Sequence, residues 1–309
     1  MNSRLPGAQS VAVPAENVPA IEASYKARDV EGFLDIHFYR KIGFQLALRF
    51  AKLGMTPGQV TLCGAAAGIM AGHFYYYRDL RLNLLGMVLH VLSNALDNAD
   101  GQLARLTKQG SRTGRALDGL ADHLVFVSIY GHLCLRYTSG GGSHLVWLVA
   151  LAAGLSHSLQ SAAADYFRNA WLYFAEGKSR AELDSSRTLR LESDRLRWRT
   201  TPRKKFLLKL YLNYTRQQEW LAPRLAELKQ AAQKTNDGFI AQAYLQASRS
   251  MLLWLNLLAT NPRMILLFGL LLLSQPVWYF FAELTVFNLL LVLLLRREDF
   301  VCRRILDSR

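Results

Sequence analysis

Four aspartates at the ends of two apolar stretches constrain this chain more than any other feature. Asp97 and Asp100 follow the apolar run LNLLGMVLHVLSNAL, and Asp118 and Asp122 precede the run LVFVSIYGHLCL. Charged groups are costly in a bilayer, so carboxylates at the ends of membrane-length helices usually serve a function. The flanking runs are too apolar for an ordinary pair of surface helices, which disfavours four solvated surface aspartates.

The spacing of the aspartates predicts a helical hairpin. Asp97 and Asp100 are three residues apart, and Asp118 and Asp122 are four apart, so each pair shares one helix face. Gly110 lies in the polar turn TKQGSRT between the pairs. Clustered carboxylates repel one another or take up protons unless a cation is bound. Oxygen ligands suit a hard ion such as Mg²⁺, and a pair of ions suits phosphoryl-type displacement.

The aspartates belong to the pattern D-x2-D-G-x2-A-R-x8-G-x3-D-x3-D, whose fixed positions are here Asp97, Asp100, Gly101, Ala104, Arg105, Gly114, Asp118 and Asp122. This pattern resembles the signature of the CDP-alcohol phosphatidyltransferases, and the resemblance extends as a pattern over roughly residues 30–304. The first apolar stretch begins with Thr56-Pro57, after which the family usually has Asn and this chain has Gly58. The resemblance implies a membrane transferase of phospholipid biosynthesis. Such enzymes move a substituted phosphate group from a CDP-linked donor to an acceptor alcohol and release CMP, and at least one substrate is usually a lipid.

The resemblance also implies a role for each matching residue. One metal ion, Mg²⁺ or Mn²⁺, would be held by Asp97, Asp100 and Asp118. The second of two ions per active site would contact Asp97, Asp118 and Asp122. Asp122 would also be the catalytic general base that removes the acceptor's hydroxyl proton. The CDP moiety would contact Thr56, Asp97, Gly101, Arg105 and Gly114. The family further implies a homodimer.

Composition and periodicity predict an all-α polytopic membrane helix bundle with six transmembrane helices. A weakly ordered segment, residues 1–29, shows no signal-peptide pattern. It precedes an amphipathic helix over 30–54, which we expect to lie at the membrane interface; the alternative is a helix packed on a soluble core. Transmembrane helices 1–4 are expected within 55–174, around the catalytic motif 97–122, and helices 5 and 6 with a basic tail within 249–309.

The individual spans are expected at about residues 57–77, 82–106, 113–137, 144–174, 251–273 and 276–295, with Pro262 as a start or a kink of the fifth. Hydrophobic residues make up 51% of the chain, but the mean hydropathy is only +0.08, so polar segments must separate the spans. In a membrane protein, the net charge of +14 predicts contact with anionic lipid headgroups rather than with nucleic acid.

Residues 175–248 form a basic insertion with 15 Lys/Arg and 8 Asp/Glu, a net charge of +7. Thr201-Pro202 can begin an amphipathic helix there. We expect this cytoplasmic, helical insertion to lie on the membrane surface or to cover the mouth of the active site. The alternative is a solvated structural appendage.

The second half of the fourth span is unusually polar, and polar groups at membrane depth usually face the bundle interior or a wet cavity. We therefore hypothesise an acceptor pocket that includes Arg112, Arg115, His157, Gln160, Asp165 and Arg168. Two alternatives stay open: a simple ion pair of Asp165 with Arg168 at the interface, and a role of the two arginines near the turn as positive-inside anchors.

The distribution of basic residues predicts a multi-pass protein of the cell (inner, cytoplasmic) membrane, with both termini and the active site on the cytoplasmic side. Two other function classes are compatible with clustered aspartates and a basic insertion. A divalent-metal transporter could also cluster aspartates, although transport sites tend to lie near the midplane on broken helices. A non-catalytic membrane scaffold could use the basic insertion to bind partners. The CDP-linked donor, the acceptor and the question of which of them is the lipid are left open.

Overall fold

The structure, a computed structural model, describes residues 30–177, 183–235 and 238–308, and its regular secondary structure within these ranges is helical. In chain order the helices are α1 (Arg40–Lys52), α2 (Pro57–Tyr76), α3 (Leu80–Leu106), α4 (Arg112–Ser139), α5 (Val146–Glu176), α6 (Ser186–Arg195), α7 (Pro202–Leu221), α8 (Pro223–Thr235), α9 (Gly238–Ser248), α10 (Met251–Leu257), α11 (Thr260–Leu272), α12 (Trp278–Ala282) and α13 (Asn288–Asp307). The predicted all-α helix bundle is confirmed. The predicted weakly ordered segment, 1–29, lies outside the described residues.

The predicted hairpin forms, and its helices begin at recognisable caps. At the start of α2, the backbone N–H of Gln59 donates to Thr56 Oγ1 (3.4 Å) and the N–H of Thr56 donates to Gln59 Oε1 (2.8 Å), a reciprocal capping box. Pro57 stands in the first turn, where a missing N–H costs no helical bond. Ser111 caps α4 by accepting from the N–H of Gly114 at 3.0 Å.

Helix α2 packs against both α3 and α4 along most of its length and joins them into one unit. The approach is close because α2 has glycine where its neighbours come nearest. A Cβ on Gly68 would lie 2.6 Å from Val125 Cγ2, and one on Gly72 would lie 2.8 Å from the backbone nitrogen of Ile129. Small residues let helix backbones approach in this way in membrane proteins. The separation of α3 and α4 is therefore set by the backbone of α2.

Helix α1 packs on α3 with a face of small and aromatic side chains. Gly43 and Ala47 are buried there, and the amide of Gln102 in α3 donates to the carbonyl oxygen of Arg40 at 3.1 Å. A π-helical stretch, Asp35–Tyr39, leads into α1. Two apolar residues of the predicted amphipathic segment, Phe38 and Ile42, are exposed. The interfacial location of this helix stays a prediction.

A buried polar network ties the second half of the bundle together. Arg263 on α11 forms an ion pair with Glu283 at 2.6 Å, and the side chains are 3% and 0% exposed. Glu283 begins a π-helical stretch, Glu283–Phe287, between α12 and α13. From α5, His157 Nδ1 lies 3.2 Å from Glu283 Oε1, and Gln160 donates to the carbonyl oxygen of Glu283 at 3.0 Å. Three separate segments thus share one satisfied charge pair.

Within the described residues, two helical segments are long and apolar enough to cross a membrane: Val146–Glu176 and the continuous run Trp278–Asp307. A third results if α10 and α11 count as one span; they are bent by 42° at a short break. Pro262 lies in the first turn of α11, as the predicted start or kink of the fifth span requires. Helices form where the first three spans are predicted, as α2, α3 and α4. These three are not among the helices that are apolar enough to cross a membrane by composition. The number of six spans stays a prediction.

The described part of the basic insertion packs onto the bundle. Helix α7 begins at Pro202, as predicted, and contacts α4 and α5. Helix α9 contacts α5 and α13, where the hydroxyl of Tyr244 donates to Glu298 at 2.8 Å. Apolar side chains such as Leu208 and Ile240 are fully buried in this region. These contacts disfavour a detached, solvated appendage.

Adding a methyl group at Gly72 is expected to destabilise the protein, because the new Cβ would meet the backbone of α4, which has little room to move. We expect Gly72→Ala to cost about 1–3 kcal/mol, measured as a lower thermal midpoint in detergent. Gly131→Ala is the matched control, since nothing lies within 4 Å of a Cβ there. The control should be neutral or slightly stabilising, because alanine favours a helix over glycine by about 1 kcal/mol. Equal midpoints for the two variants would contradict the close packing of α2 on α4.

Removal of one member of the buried ion pair is expected to cost more than removal of both. Arg263→Met leaves the carboxylate of Glu283 buried without its cation, with an expected loss of about 3–5 kcal/mol. The double variant Arg263→Met/Glu283→Leu should recover part of this loss. Arg303→Met removes an exposed pair with Asp299 (side chains 58% and 45% exposed) and should change little. Unfolding in detergent measures all three, and a double variant less stable than the single one would refute the prediction.

Candidate active site

Two helices bring the four motif aspartates to one cavity. Asp97 and Asp100 come from the second half of α3, and Asp118 and Asp122 come from the first half of α4. Asp97, Asp100 and Asp118 each place one carboxylate oxygen within 4.8 Å of the others. Asp122 lies one turn beyond Asp118 and outside this close group, but it lines the same cavity. The predicted convergence of the four carboxylates is therefore what the structure shows.

The carboxylates differ in their surroundings. Asp100 is buried, Asp118 is half-buried, and Asp97 and Asp122 are exposed. The hydroxyl of Thr61 donates to Asp100 Oδ2 at 2.5 Å, so α2 also contributes to the site. The sequence reasoning missed Thr61. Its signal was a hydroxyl one turn after Pro57 in an otherwise apolar stretch, where a buried polar group needs a partner.

The carboxylate group fits a divalent cation. Its donors are oxygens, which hard ions such as Mg²⁺ and Mn²⁺ prefer. Ligands of an octahedral Mg²⁺ are about 3 Å apart when adjacent and about 4.2 Å apart when opposite. The three oxygens lie within 4.8 Å of one another, so movements of about 1–2 Å would bring them to one ion. The predicted number of two ions and the identity of the metal stay predictions.

The residues predicted to contact the nucleotide lie at three helix ends beside this cavity. Gly101 and Arg105 are adjacent on α3: a Cβ on Gly101 would lie 3.6 Å from both terminal nitrogens of Arg105. The guanidinium therefore extends over bare backbone. Gly114 stands in the first turn of α4, and Thr56 is the cap of α2, where its hydroxyl is engaged with Gln59. The predicted nucleotide contacts of these residues stay predictions.

The two arginines at the start of α4 are bound by acidic residues of the insertion. Arg112 donates to Asp184 at 2.7 Å and to Glu192 at 2.5 Å, and Arg115 donates to Asp184 at 2.9 Å. Tyr211 on α7 adds a hydrogen bond to Asp184 at 3.1 Å, and the Arg115 guanidinium lies 5.2 Å from the centre of its ring. Burial would raise the pKa of the Asp184 carboxyl, but the two guanidinium groups and Tyr211 together hold it below its ordinary value.

The other four residues of the hypothesised acceptor pocket are divided between two places. His157 and Gln160 belong to the buried network of Glu283 described above, away from the aspartate cavity. Asp165 accepts hydrogen bonds from Asn169 (2.9 Å), Gln218 (3.0 Å) and Tyr214 (3.4 Å). Within the described residues Asp165 forms no ion pair with Arg168, which is half-buried on α5, so the alternative of a simple interfacial pair is wrong.

Comparisons with known proteins address the domain that carries the cavity. Residues 55–168 match the family model described as CDP-alcohol phosphatidyltransferase. These residues are a CDP-alcohol phosphatidyltransferase domain. The match begins just before α2 and ends within α5, so it contains all four aspartates, Thr61 and Asp165. The insertion that holds Asp184 and Tyr211 lies beyond it.

Three relatives of the transferase domain are informative. A phosphatidylinositol phosphate synthase of Streptomyces avermitilis is 29% identical over 114 residues, which are 37% of this chain and 46% of that protein. An archaetidylinositol phosphate synthase of Pyrococcus horikoshii is 35% identical over 79 residues, 26% of this chain and 40% of that protein. A phosphatidylinositol phosphate synthase of Mycobacteroides abscessus is 28% identical over 121 residues, 37% and 51% of the two chains. The chain thus spans about half the length of these curated relatives.

Neutralising Asp184 is expected to weaken the docking of the insertion on the transferase domain. We expect Asp184→Asn to lower the thermal midpoint by about 2–4 °C, while Asp194→Asn, an exposed position on α6, leaves it unchanged. The folded-state pKa of Asp184 is lowered, so its contribution is complete above the ordinary carboxyl pKa of about 4 and is lost only below it. The difference between wild type and Asp184→Asn should therefore be the same at pH 6 and pH 8. Equal midpoints for both variants would remove Asp184 as an anchor.

Proposed function

We propose that this protein is an integral membrane transferase that moves a substituted phosphate group from a CDP-linked donor to an acceptor alcohol and releases CMP. One observation carries the proposal: four aspartates of a CDP-alcohol phosphatidyltransferase domain line one cavity, and three of them are close enough to share a cation. The activity serves phospholipid biosynthesis. Neither a transporter nor a scaffold requires the four carboxylates and an adjacent arginine-glycine pair to stand together.

The positions of the carboxylates suggest which of them would bind each metal ion. Asp97, Asp100 and Asp118 would hold the first Mg²⁺ or Mn²⁺ ion, and the second would use Asp97, Asp118 and Asp122. When bound, the ions neutralise the donor's diphosphate and stabilise the charge on departing CMP. Thr61 fixes the orientation of the buried Asp100 carboxylate through its hydrogen bond.

Asp122 is the general base of the proposed reaction. It lies outside the close group of three carboxylates and is exposed, so an acceptor hydroxyl can reach it. Asp122 takes the hydroxyl proton while the acceptor oxygen forms a bond to the phosphorus of the substituted phosphate. The bond from that phosphorus to the CMP oxygen breaks, and CMP leaves with the electron pair.

The donor's nucleotide is proposed to bind beside Gly101 and Arg105. Glycine leaves the backbone open to a close ligand, and the guanidinium above it supplies a forked contact to phosphate. Thr56, Asp97 and Gly114 would complete this end of the site. The acceptor would enter from the side of α4 and α5.

We further propose that the acceptor is an inositol phosphate and the donor is CDP-diacylglycerol. The names of the three relatives agree on an inositol phosphate headgroup and differ in the lipid, which is phosphatidyl in two and archaetidyl in one. Agreement on the headgroup supports a polar, phosphorylated acceptor and a lipid-linked donor. A CDP-linked headgroup with a lipid acceptor is the arrangement that the assay must exclude.

The proposed setting is the inner membrane, with several spans and with both termini and the active site on the cytoplasmic side. The basic insertion, with a net charge of +7, packs on the end of the bundle that holds the aspartates, which supports this orientation through the positive-inside rule. A homodimer is proposed on the family resemblance alone.

Release of CMP from purified protein in detergent tests the function. With Mg²⁺, CDP-diacylglycerol and inositol phosphate, we expect steady CMP release that EDTA abolishes and Mg²⁺ or Mn²⁺ restores. Asp122→Asn should lower the rate by about 100-fold or more, the usual contribution of a general base. Asp79→Asn is the matched control: this aspartate caps the opposite end of α3, and asparagine caps equally well.

The remaining outcomes separate the alternatives. CDP-choline, CDP-ethanolamine and CDP-inositol with lipid acceptors identify the reverse arrangement of headgroup and lipid. No CMP release with any pair, together with nucleotide-independent Mg²⁺ or Mn²⁺ movement in liposomes, would establish a transporter. Absence of both CMP release and ion movement would favour the non-catalytic scaffold. Full activity in Asp122→Asn would disprove its role as the base.

A further inference from the structure

Helix α7 of the insertion reaches the level of the catalytic carboxylates. Helices α4 and α5 are antiparallel, and His157 of α5 lies beside residues 126–130 of α4. The centre of its ring is 4.0 Å from that of Phe126, and its Nδ1 is 3.1 Å from the hydroxyl of Tyr130. Eight residues further along α5, about 12 Å, stands Asp165. The same displacement back along α4 leads from 126–130 to 118–122. Asp165 therefore lies at the depth of Asp118 and Asp122.

Asp165 is the point at which α7 is fixed at this depth. Its carboxylate accepts a hydrogen bond from Gln218 Nε2 at 3.0 Å and from the Tyr214 hydroxyl at 3.4 Å, both on α7. Gln218 also donates to the carbonyl oxygen of Ala162 at 3.3 Å and is only 7% exposed. Two donors from α7 thus meet one carboxylate of the transferase domain, and the Tyr214 hydroxyl has a defined place.

The Tyr214 phenol lies in a buried, acidic environment. Burial is the main reason that the pKa of Tyr214 is raised well above its ordinary value, and the negative charges of Asp165 and Asp122 raise it further. The phenol is therefore protonated at physiological pH. Its one proton is directed to Asp165, which leaves the lone pairs of the phenol oxygen to accept a hydrogen bond.

A second contact fixes the direction of α7 across the site. Tyr211, one turn before Tyr214, is held by Asp184 and by the Arg115 guanidinium. Arg115 in turn stands one turn before Asp118 on α4. The pair Tyr211 and Tyr214 thus runs alongside the series of Arg115, Asp118 and Asp122. Both ends of this short stretch of α7 are fixed to the transferase domain.

We infer that α7 forms one wall of the acceptor site and that Tyr214, oriented by Asp165 and Gln218, is a positioning residue that accepts a hydrogen bond from a hydroxyl of a polyol acceptor. This inference rests on the proposed function. A second hydroxyl held at Tyr214 turns the reactive hydroxyl toward Asp122. Tyr214 would then select acceptors with several hydroxyls over acceptors with one. The insertion, outside the matched domain, would contribute to substrate choice.

Steady-state kinetics with CDP-diacylglycerol and inositol phosphate test the inference. Tyr214→Phe removes only the phenol oxygen, and we expect the KM for inositol phosphate to rise about 10-fold, while the KM for CDP-diacylglycerol and kcat stay within about twofold. Tyr173→Phe is the matched control, because that hydroxyl on α5 meets Gln233 at 3.3 Å, beyond Asp165 toward the helix end. KM does not depend on the fraction of folded enzyme, so a less stable variant still gives a valid answer.

A second variant separates positioning from packing. Asp165→Asn should raise the KM for inositol phosphate in the same way, and the double variant Tyr214→Phe/Asp165→Asn should be no worse than either single one, since both act through one hydroxyl. Discrimination between inositol phosphate and a deoxy analogue should also fall in Tyr214→Phe. An unchanged KM for inositol phosphate, or equal changes for donor and acceptor, would overturn the inference with the proposed function intact. No CMP release by wild type would overturn both.

Discussion

Close contact between helix backbones is the constraint on which the site depends. Helix α2 lies against both α3 and α4, and glycines such as Gly68 and Gly72 allow an approach that any side chain would prevent. The distance between the two pairs of aspartates is thus determined by the thickness of a bare helix. The carboxylates that hold an ion must be placed within tenths of an ångström. Backbone contacts between the helices suit this need, because backbone atoms have no alternative rotamers.

The carboxylate cluster itself opposes the fold that contains it. Like charges brought together repel, and only a bound cation or a proton relieves them. The stability that offsets this repulsion must come from elsewhere in the chain. The close packing of α2 on its neighbours and the ion pair of Arg263 with Glu283 both form without a ligand. Such a division between a strained site and a satisfied framework is common in enzymes.

Sequence reasoning reached the features that are local in the chain. The caps at Thr56 and Pro57, the hairpin and the convergence of four aspartates all follow from spacings of a few residues. It did not find Asp184, which meets Arg112 across 72 residues, or Tyr214, which meets Asp165 across 49. Periodicity contains no information about such partners. The same limit explains His157: its polar character was noticed, but its partner, Glu283, lies 126 residues away.

The wide sequence separation of the insertion's contacts has a consequence for biosynthesis. Helices α2 to α5 are synthesised first, and the hairpin with its carboxylates is complete before α7 leaves the ribosome. Asp165 and Arg115 are therefore synthesised before their partners. Asp165 later binds Gln218 and Tyr214, and Arg115 later binds Asp184. The docking of α7 therefore follows the synthesis of α2 to α5, and helices α10 to α13 are added to the bundle after it. A nascent chain that stalls before residue 202 would lack the hydrogen bonds from Tyr214 and Gln218 to Asp165.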